Sequence, residues 1–472
     1  MKYESTRGSA PVLGFEDVLL TGLARDGGLY VPRTWPRLTP EAIAALAGRP
    51  YHEAAFDIMA PFVGGEVAGA ELQAICREAY ASFSHPAVAP LVQIGPNDWI
   101  LELFHGPTLA FKDVAMQVLG RLMDRTLKKR GERATIVGAT SGDTGGAAIE
   151  AFRGRDAIDI FILFPKGRVS DVQRRQMTTP VEANVHAIAI AGTFDDCQNT
   201  VKALFNDLTL RDRLRLAGVN SINWARIMAQ IVYYFTAGVA LGAPHRKISY
   251  SVPTGNFGDI FAGYAASMMG LPVDRLIIAT NANDILARTF ETGRYETKPV
   301  ISTSSPSMDI QISSNFERLL FELSGRDAGR VRTLMSSLAQ SGAFTLDTRE
   351  RTGLADLFAA GRVGEADALA AIRRVQAETG YVAEPHTVAG IEVARRLRAG
   401  VGAIDSPIVT LATAHPAKFP LAISQALGHP PAEPARVAAQ RAAPERMTVL
   451  PNDLKTIADF ISTRTRATRA AA

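Results

Sequence analysis

Two short segments of this sequence have the composition of a phosphate-binding turn. SGDTGG (141–146) and TGNFGD (254–259) are rich in glycine, and each lies between an apolar run and a helical pattern. Glycine lets the backbone approach an anion closely, and the first N–H groups of a helix point towards that anion. The pair predicts a ligand with two anionic ends, or two ligands, although either turn could simply connect a strand to a helix.

A third segment, HGPTLAFKDVAMQ (105–117), places Lys112 after apolar residues at the start of a helical pattern. Cations are disfavoured at a helix N-terminus, so the position is unusual for a lysine. A desolvated lysine there would have a lowered pKa and could form a Schiff base with a carbonyl compound. The spacing alone leaves this interpretation open beside that of an ordinary solvated lysine.

Other common sites are not predicted. The residues Ala147 and Ile260 stand where a P-loop would carry its lysine, and neither turn has the dinucleotide pattern GxGxxG. The histidines have no metal-ligand spacing, so we predict no metal site. The two cysteines, Cys76 and Cys197, are far apart in the sequence and are predicted to be free thiols.

Strands and helices alternate between residues 98 and 290 and must position these segments. This alternation predicts an α/β protein with parallel strands covered on both faces, in which ligands bind at the carboxyl ends of the strands. The strand-like runs are 99–105, 134–140, 158–165, 185–192, 247–253, 275–281 and 406–416. Helical stretches are predicted at 315–340 and 351–378, a loose surface segment at 429–446, and a frayed tail at the C-terminus.

Charge and hydropathy exclude several classes of protein. The 472 residues include 51 basic and 47 acidic ones, interleaved along the chain, so no nucleic-acid-binding surface is predicted. The N-terminus lacks the apolar core of a signal peptide, and we expect a cytoplasmic protein. Residues 227–244 carry no charge, but they contain glutamine, threonine and tyrosine and predict a buried helix rather than a membrane span.

Six strings in order along the chain resemble the threonine synthase family: HGPTLAFKD, ATSGDTG, NSINWARIMAQ, PTGNFGD, SMDIQISSNFERLL and LATAHPAKF. The resemblance implies a pyridoxal 5′-phosphate enzyme of fold type II, like the tryptophan synthase β-subunit, with parallel-sheet core domains and a smaller N-terminal domain. It implies conversion of O-phospho-L-homoserine and water to L-threonine and phosphate, by γ-elimination and then addition of water at Cβ. The domains expected are 1–95, 96–215, 216–428 and a C-terminal extension, 429–472.

The same resemblance assigns residues to the cofactor. Lys112 matches the lysine that holds it as an internal aldimine, and Asp143 matches the position facing its phenolic oxygen. Thr413 matches a hydroxyl facing the pyridine nitrogen. The loop that cradles its phosphate comprises Gly255, Asn256, Phe257, Gly258 and Asp259. Because Asp259 would add a negative charge beside a phosphate, we expect its side chain to point away.

The substrate residues are implied in the same way. Ser141 and Thr144 match the loop that receives the substrate carboxylate. The substrate phosphate is assigned to Asn220, Ser221 and Arg226; arginine suits this task because its planar fork can bind phosphate through two hydrogen bonds. Without the resemblance, NSINWAR is a helix start with an Asn or Ser cap. Residues 307–318 could brace the structure, gate the site or contact a ligand.

Two other functions remain open from the sequence. A serine or threonine dehydratase of the same fold would need no second phosphate site, so Arg226 argues against it. A non-catalytic phosphate-binding or nucleotide-binding α/β protein would make no use of Lys112. A small-molecule substrate is expected in either enzyme, with the chain a monomer or a homodimer and with no nucleic-acid or membrane partner.

Overall fold

The computed structural model describes residues 1–400 and 403–468. The N-terminal part consists of a two-stranded antiparallel ribbon and four helices, which pack against the core helices that follow. These elements are β1 (Tyr3–Ser5), α1 (Phe15–Thr21), β2 (Tyr30–Pro32), α2 (Pro40–Ala44), α3 (Tyr51–Val63) and α4 (Gly69–Tyr80).

The chain then starts one sheet, leaves it to form a second, and returns to the first. Elements of the first passage are β3 (Leu91–Gln93), β4 (Asp98–Glu102) and α5 (Lys112–Arg130). The second sheet and its helices come from β5 (Ala134–Ala139), α6 (Asp143–Phe152), β6 (Ile158–Pro165), α7 (Asp171–Thr178), β7 (Val185–Ala191), α8 (Phe194–Asn206), α9 (Leu208–Leu214) and β8 (Leu216–Ala217).

The return to the first sheet spans most of the remaining chain. It comprises α10 (Trp224–Ala240), β9 (Ile248–Pro253), α11 (Gly258–Met268), β10 (Val273–Thr280), α12 (Ile285–Thr292), β11 (Arg294–Glu296), α13 (Phe316–Leu323), α14 (Ala328–Ser341), β12 (Ala343–Thr345), α15 (Thr348–Leu357), β13 (Phe358–Arg362), α16 (Glu365–Thr379), α17 (Pro385–Ala399), β14 (Ile408–Ala412) and α18 (Pro420–Leu427). Two 3₁₀ turns lie at Pro306–Met308 and Pro416–Lys418.

The larger sheet has the order β13-β10-β9-β14-β4-β3 and is parallel except for β3. The smaller sheet has the order β15-β7-β6-β5-β8, in which β15 is the late strand Thr448–Pro451, and it is parallel throughout. Helices α6, α5, α10 and α11 pack side by side in that order. The predicted α/β class and all seven predicted strands are confirmed.

The apolar stretch at 227–244 is confirmed as a buried helix. Nearly every residue of α10 is buried, and its aromatic side chains join the main hydrophobic core. Within the described part of the chain, no helix is long and apolar enough to cross a membrane.

Two expectations from the sequence were wrong. The stretch 351–378 is not all helical, because β13 interrupts it and pairs with β10 at the sheet edge. Residues 429–446 are not loose throughout, because helix α19 (Ala435–Ala442) lies within them and packs on α7. After this segment, strand β15 (Thr448–Pro451) extends the smaller sheet, and α20 (Leu454–Arg464) covers it. Residues 469–472 of the predicted frayed tail lie outside the described residues.

The tail is ordered up to the last described residues because it makes specific contacts with the smaller sheet. The Arg466 guanidinium donates to the Asp159 carboxylate at 2.8 Å, and the Thr465 hydroxyl is buried against Thr135. The four-part domain division stays a prediction; the strand before Lys112 belongs to the larger sheet, and the last strand belongs to the smaller one.

Candidate active site

Lys112 is placed by two loops that leave neighbouring parallel strands and run antiparallel to each other. Strand β4 leads into 103–111, and β14 leads into 413–418. The Phe111 N–H donates to the Thr413 carbonyl at 2.8 Å, and the His415 N–H donates to the Leu109 carbonyl at 3.0 Å. Both loops lie at the carboxyl ends of their strands, where ligands bind in open α/β sheets. Lys112 and Thr413 are therefore neighbours in the structure.

The carboxylate of Asp113 fixes the loop before Lys112. It accepts from the Thr108 N–H and the Thr108 hydroxyl, both at 2.7 Å, and it is fully buried. A side chain at Gly106 would collide with Asp113, since an ideal Cβ would lie 2.5 Å from its Oδ2. This close packing accounts for glycine in HGPT and directs Lys112 inward.

The Lys112 amine is buried, with only 8% of the residue exposed, at the start of α5. Its Nζ lies 3.5 Å from the Ser307 hydroxyl and 3.7 Å from Asp143 Oδ2. Burial lowers the pKa of Lys112, the nearby carboxylate of Asp143 opposes that shift, and the positive charges of Lys418 and Arg226 add to it. The structure thus gives Lys112 the desolvated, cation-rich surroundings that favour a nucleophilic amine.

Asp143 is the first residue of α6 and is held by a second lysine that the sequence analysis missed. Lys418 Nζ lies 2.8 Å from Asp143 Oδ1, and the Gln173 amide donates to the same oxygen at 2.9 Å. Burial alone would raise the pKa of Asp143, but Lys418 and Lys112 more than offset it and keep the carboxyl ionised. Lys418 stands within LATAHPAKF, where nothing in its spacing distinguishes it from a surface lysine.

The turn TGNFGD joins β9 to α11 and has the features of a phosphate cradle. Phe257 adopts a left-handed conformation with φ of 63°, and Gly258 begins the helix. Among the described residues, no side chain caps this helix start, so its first N–H groups are free to bind an anion. These features fit the phosphate of pyridoxal phosphate, as the sequence predicts for Gly255, Asn256, Phe257, Gly258 and Asp259.

The string SMDIQISSNFER braces this turn. The Ser313 hydroxyl donates to the Gly255 carbonyl at 2.6 Å, and the Asn315 N–H and side-chain amide both donate to the Asn256 carbonyl at 3.0 Å. The carboxylate of Asp309 in turn holds the preceding loop, since it accepts from the Asn281 amide at 2.8 Å. Of the alternatives for this string, the contacts support a bracing role.

Asp259 points away from the cradle, as predicted. Its carboxylate accepts from the hydroxyls of Tyr233 and Tyr234 on α10, the latter at 3.0 Å. Its second oxygen, Oδ2, is buried without a hydrogen-bond partner among the described residues. Burial raises the pKa of Asp259 to about 6, although both tyrosine hydroxyls oppose the shift. The aspartate is therefore part of the core and keeps its charge off the phosphate site.

The turn SGDTGG opens α6 beside the smaller sheet. Gly142 has φ of 144°, and an ideal Cβ there would lie 2.3 Å from the Gln173 side chain, so this position needs glycine. Ser141 and Thr144 are half-buried on either side of the Asp143 backbone. The turn thus presents Asp143 to Lys112 and leaves two hydroxyl side chains partly accessible, while their contact with substrate stays a prediction.

Arg226 lies near the start of α10, and only 3% of it is exposed. It donates to the Val219 carbonyl at 3.1 Å, while its Nε has no partner among the described residues. Burial lowers the pKa of Arg226 to about 10, and no carboxylate in the described chain is paired with it. A buried arginine with an unused donor and no counter-ion is the arrangement expected of an anion site.

The other two residues assigned to the substrate phosphate differ from Arg226. Ser221 comes close to the cradle, because its carbonyl lies 3.7 Å from where a Cβ on Gly258 would stand. Asn220 is exposed, and its carbonyl accepts from the Asn223 N–H at 3.1 Å. Asn223 caps α10, so the alternative interpretation of NSINWAR as a capped helix start also holds.

Ser307, beside Lys112, is positioned by a histidine that the sequence analysis left without a role. The His386 Nε2 accepts from the Ser307 N–H at 3.2 Å, which leaves Nδ1 to donate to Glu384 at 2.6 Å. Two other histidines lie within the six strings quoted above: His105 contacts Glu102, and His415 accepts from the Ala417 N–H. Within the described ranges, no cluster of side chains could hold a metal ion.

Three models of known families match this chain. "Threonine synthase N terminus" matches residues 2–80, and "Pyridoxal-phosphate dependent enzyme" matches residues 88–414. "Threonine synthase, C-terminal" matches residues 387–461 and so includes the helices and strand that follow the larger sheet.

Individual proteins that are similar to this chain are threonine synthases as well. The chain is 55% identical to a threonine synthase of Pseudomonas aeruginosa over 463 residues, which is 98% of each chain. Among solved structures, it resembles a PLP-bound threonine synthase from Brucella melitensis, with 59% identity, a TM-score of 0.96 and coverage of 99% of this chain and 100% of the other. The yeast threonine synthase structure gives 37% identity and a TM-score of 0.94, with 98% of each chain covered.

Proposed function

The chain belongs to the threonine synthase family, and we propose that it converts O-phospho-L-homoserine and water to L-threonine and phosphate, with pyridoxal 5′-phosphate held on Lys112. The observation that carries the proposal is the buried amine of Lys112, which faces Asp143 across 3.7 Å at the edge where the loops of both sheets meet. A cofactor aldehyde reacts with an unprotonated amine, and burial of Lys112 favours that form.

The two anion sites have separate tasks in this proposal. The uncapped start of α11, with Gly255 and Gly258, would hold the cofactor phosphate, and the hydroxyl of Thr413 would serve the ring nitrogen. Arg226 would hold the phosphate of the substrate until it leaves. Asp143, kept ionised by its lysine partners, would serve the phenolic oxygen of the cofactor. Two features of the described residues support this division: no side chain caps the start of α11, and the Nε of Arg226 has no hydrogen-bond partner.

The bound cofactor supplies an electron sink that makes the protons on the substrate's Cα and Cβ removable. Lys112 would then have a second task, that of a base beside the substrate. From the start of α5 its Nζ could take the Cα proton and later return one to the same carbon. Ser141 and Thr144, on the opposite turn, hold the substrate carboxylate and orient Cα towards Nζ.

The direct test is to incubate the protein and pyridoxal phosphate with O-phospho-L-homoserine and to measure threonine and phosphate together. Equal amounts of the two products are expected. Release of phosphate without threonine, or no turnover, would contradict the proposal. The competing dehydratase is tested in parallel with serine and threonine, from which it would form a 2-oxo acid and ammonia.

All the residues assigned to the site come from one chain, so we propose that a monomer or a homodimer is equally competent. The substrate is a small molecule, in keeping with a site enclosed by Lys112, Asp143 and Ser307. Light scattering at the concentration used for the activity assay gives the oligomeric state, and dilution that lowers specific activity would contradict a site complete in each chain.

A further inference from the structure

Lys418 is as deeply buried as any residue in the molecule, with an exposed fraction of 0%. Its ammonium group contacts Asp143 Oδ1 at 2.8 Å, the Thr108 carbonyl at 2.8 Å and the Gln176 side-chain oxygen at 3.1 Å. A lysine has three N–H donors, so these partners use all of them. Lys418 therefore has no donor left for a ligand, and its role must act through its neighbours.

These partners come from different parts of the fold. Asp143 and Gln176 lie on α6 and α7, beside the smaller sheet, whereas Thr108 and Lys418 lie on the loops that follow β4 and β14 of the larger sheet. The ammonium of Lys418 thus joins the two halves of the site beside Lys112. Removing one member of such a buried pair leaves an uncompensated charge, so its position is strongly constrained.

We propose that Lys418 is a positioning residue that fixes Asp143 between two lysines, and that its own positive charge weakens the hold of the Lys112 nitrogen on its proton when the cofactor is bound there. The inference rests on the proposed function, because it concerns the lysine that carries the cofactor. It adds a residue for which neither the sequence nor the resemblance gave a role.

The charges that face Lys112 determine whether loss of Lys418 strengthens or weakens proton binding by the Lys112 nitrogen. Asp143 stabilises a proton on the Lys112 nitrogen, whereas Lys418 and Arg226 repel it. Lys418 also occupies one oxygen of Asp143 and so weakens the attraction between that carboxylate and Lys112. Of the other titratable groups nearby, Asp113 is held by Thr108, and His415 is kept neutral, because burial lowers its pKa to about 4. Loss of the Lys418 charge should therefore raise the pH at which this nitrogen loses its proton.

The test uses the holoenzyme, loaded with pyridoxal phosphate, and follows its visible absorbance from pH 5 to 10. We expect Lys418→Met to move the midpoint of that titration upwards by about one pH unit or more, as loss of a close like charge does. Lys418→Arg keeps the charge and should move it less than half as far. Lys129→Met is the matched control, because Lys129 lies on the surface beside Glu16. No shift in Lys418→Met, or a shift to lower pH, overturns the proposal.

If Lys418→Met folds poorly, a second measurement tests the proposal. The double variant Asp143→Asn with Lys418→Met removes both charges, so it should recover folded protein and a higher Tm than Lys418→Met alone. A double variant that is no more stable overturns the proposal. Failure of the proposed function is distinguishable, because it would appear as no threonine and phosphate from O-phospho-L-homoserine with the wild-type protein, whereas failure of this proposal appears as an unshifted titration in Lys418→Met.

Discussion

The two glycine turns at the site have similar compositions but are held in different ways. TGNFGD is braced by a segment nearly sixty residues away, through Ser313 on Gly255 and Asn315 on Asn256. SGDTGG is held mainly from nearby: the Thr140 hydroxyl accepts from the N–H groups of Gly142 and Gly145, both at 2.9 Å. The first turn is fixed to the body of the larger sheet, whereas the second belongs to the smaller sheet and its helices.

This difference matches the tasks proposed for the two turns. A cofactor that stays bound through many reaction cycles needs a rigid cradle, whereas a substrate must enter and leave. The ion pairs of Asp143 with Lys418 and with Lys112 link the second turn to the larger sheet. If the division is right, mutations in the first turn should change cofactor content, and mutations in the second should change substrate binding.

The largest effect is expected for Gly258→Val. A Cβ at this position would lie 3.3 Å from the Asn315 amide, and the rest of the side chain would enter the space needed by a phosphate. The variant should be isolated mostly free of cofactor, which absorbance after alkaline release measures. Gly364→Val is a matched control, because a Cβ there meets no atom of the described chain within 4 Å. Normal cofactor content in Gly258→Val would contradict the assignment of TGNFGD to the cofactor phosphate.

A large effect on turnover, without loss of cofactor, is expected for Arg226→Ala. Loss of a buried charged contact with the leaving phosphate should lower kcat/KM by roughly 100-fold, or about 3 kcal/mol. Arg226→Lys should restore little, since lysine offers a point charge without the planar fork. The measurement is steady-state kinetics beside cofactor content. Near-normal kinetics of Arg226→Ala would show that the substrate phosphate is held elsewhere.

A smaller effect is expected for Ser141→Ala, which removes one hydroxyl from the second turn. The protein should keep its cofactor and yellow colour, while the apparent substrate constant rises by roughly 5- to 150-fold, corresponding to about 1–3 kcal/mol for a lost hydrogen bond to a carboxylate. Titration with substrate, followed by the cofactor spectrum, gives this constant. If Ser141→Ala loses cofactor while Gly258→Val keeps it, the two turns have been assigned in reverse.

The smallest effect is expected for Asp259→Asn. This variant tests whether the side chain of Asp259 belongs to the core and not to the phosphate cradle. Because burial raises the pKa of Asp259 to about 6, the folded protein gains stability from protonation of this group at low pH and loses it as the pH rises through 6. The asparagine variant should therefore have a slightly higher Tm than the wild type at pH 8, and the difference should vanish near pH 4. Cofactor content should not change; a marked loss would place Asp259 in the cradle.

Much of the fold and part of the site were predictable because the signals are local. The buried parallel strands are continuous apolar runs, and the glycine turns at their ends carry their own conformational requirement. Strand β13 was missed because the residues of FAAGR after Phe358 favour helices or neither state, and its pairing with β10 decides its conformation. The final strand β15 was missed because its partner, β7, lies more than 250 residues earlier.

The site residues also divide into those with a local signal in the sequence and those whose role depends on distant segments. Lys112 was predictable, because a lysine among apolar residues at a helix start is unusual in itself. Lys418 was not, because its burial depends on Asp143, Thr108 and Gln176, which lie on three other segments. Bracing was one of the alternatives for residues 307–318, but Ser313 and Asn315 could not be singled out for it, since hydrogen bonds to backbone carbonyls leave no pattern in the sequence.

The central claim is that Lys112 carries the cofactor, and borohydride reduction tests it most directly. Reduction converts the bond between cofactor and lysine into a stable amine, and peptide mapping then locates the label. We predict that the label lies on Lys112 alone. A label on Lys418, which contacts the same carboxylate at 2.8 Å, or on any other lysine would contradict the account, as would the absence of label from a protein that turns over O-phospho-L-homoserine.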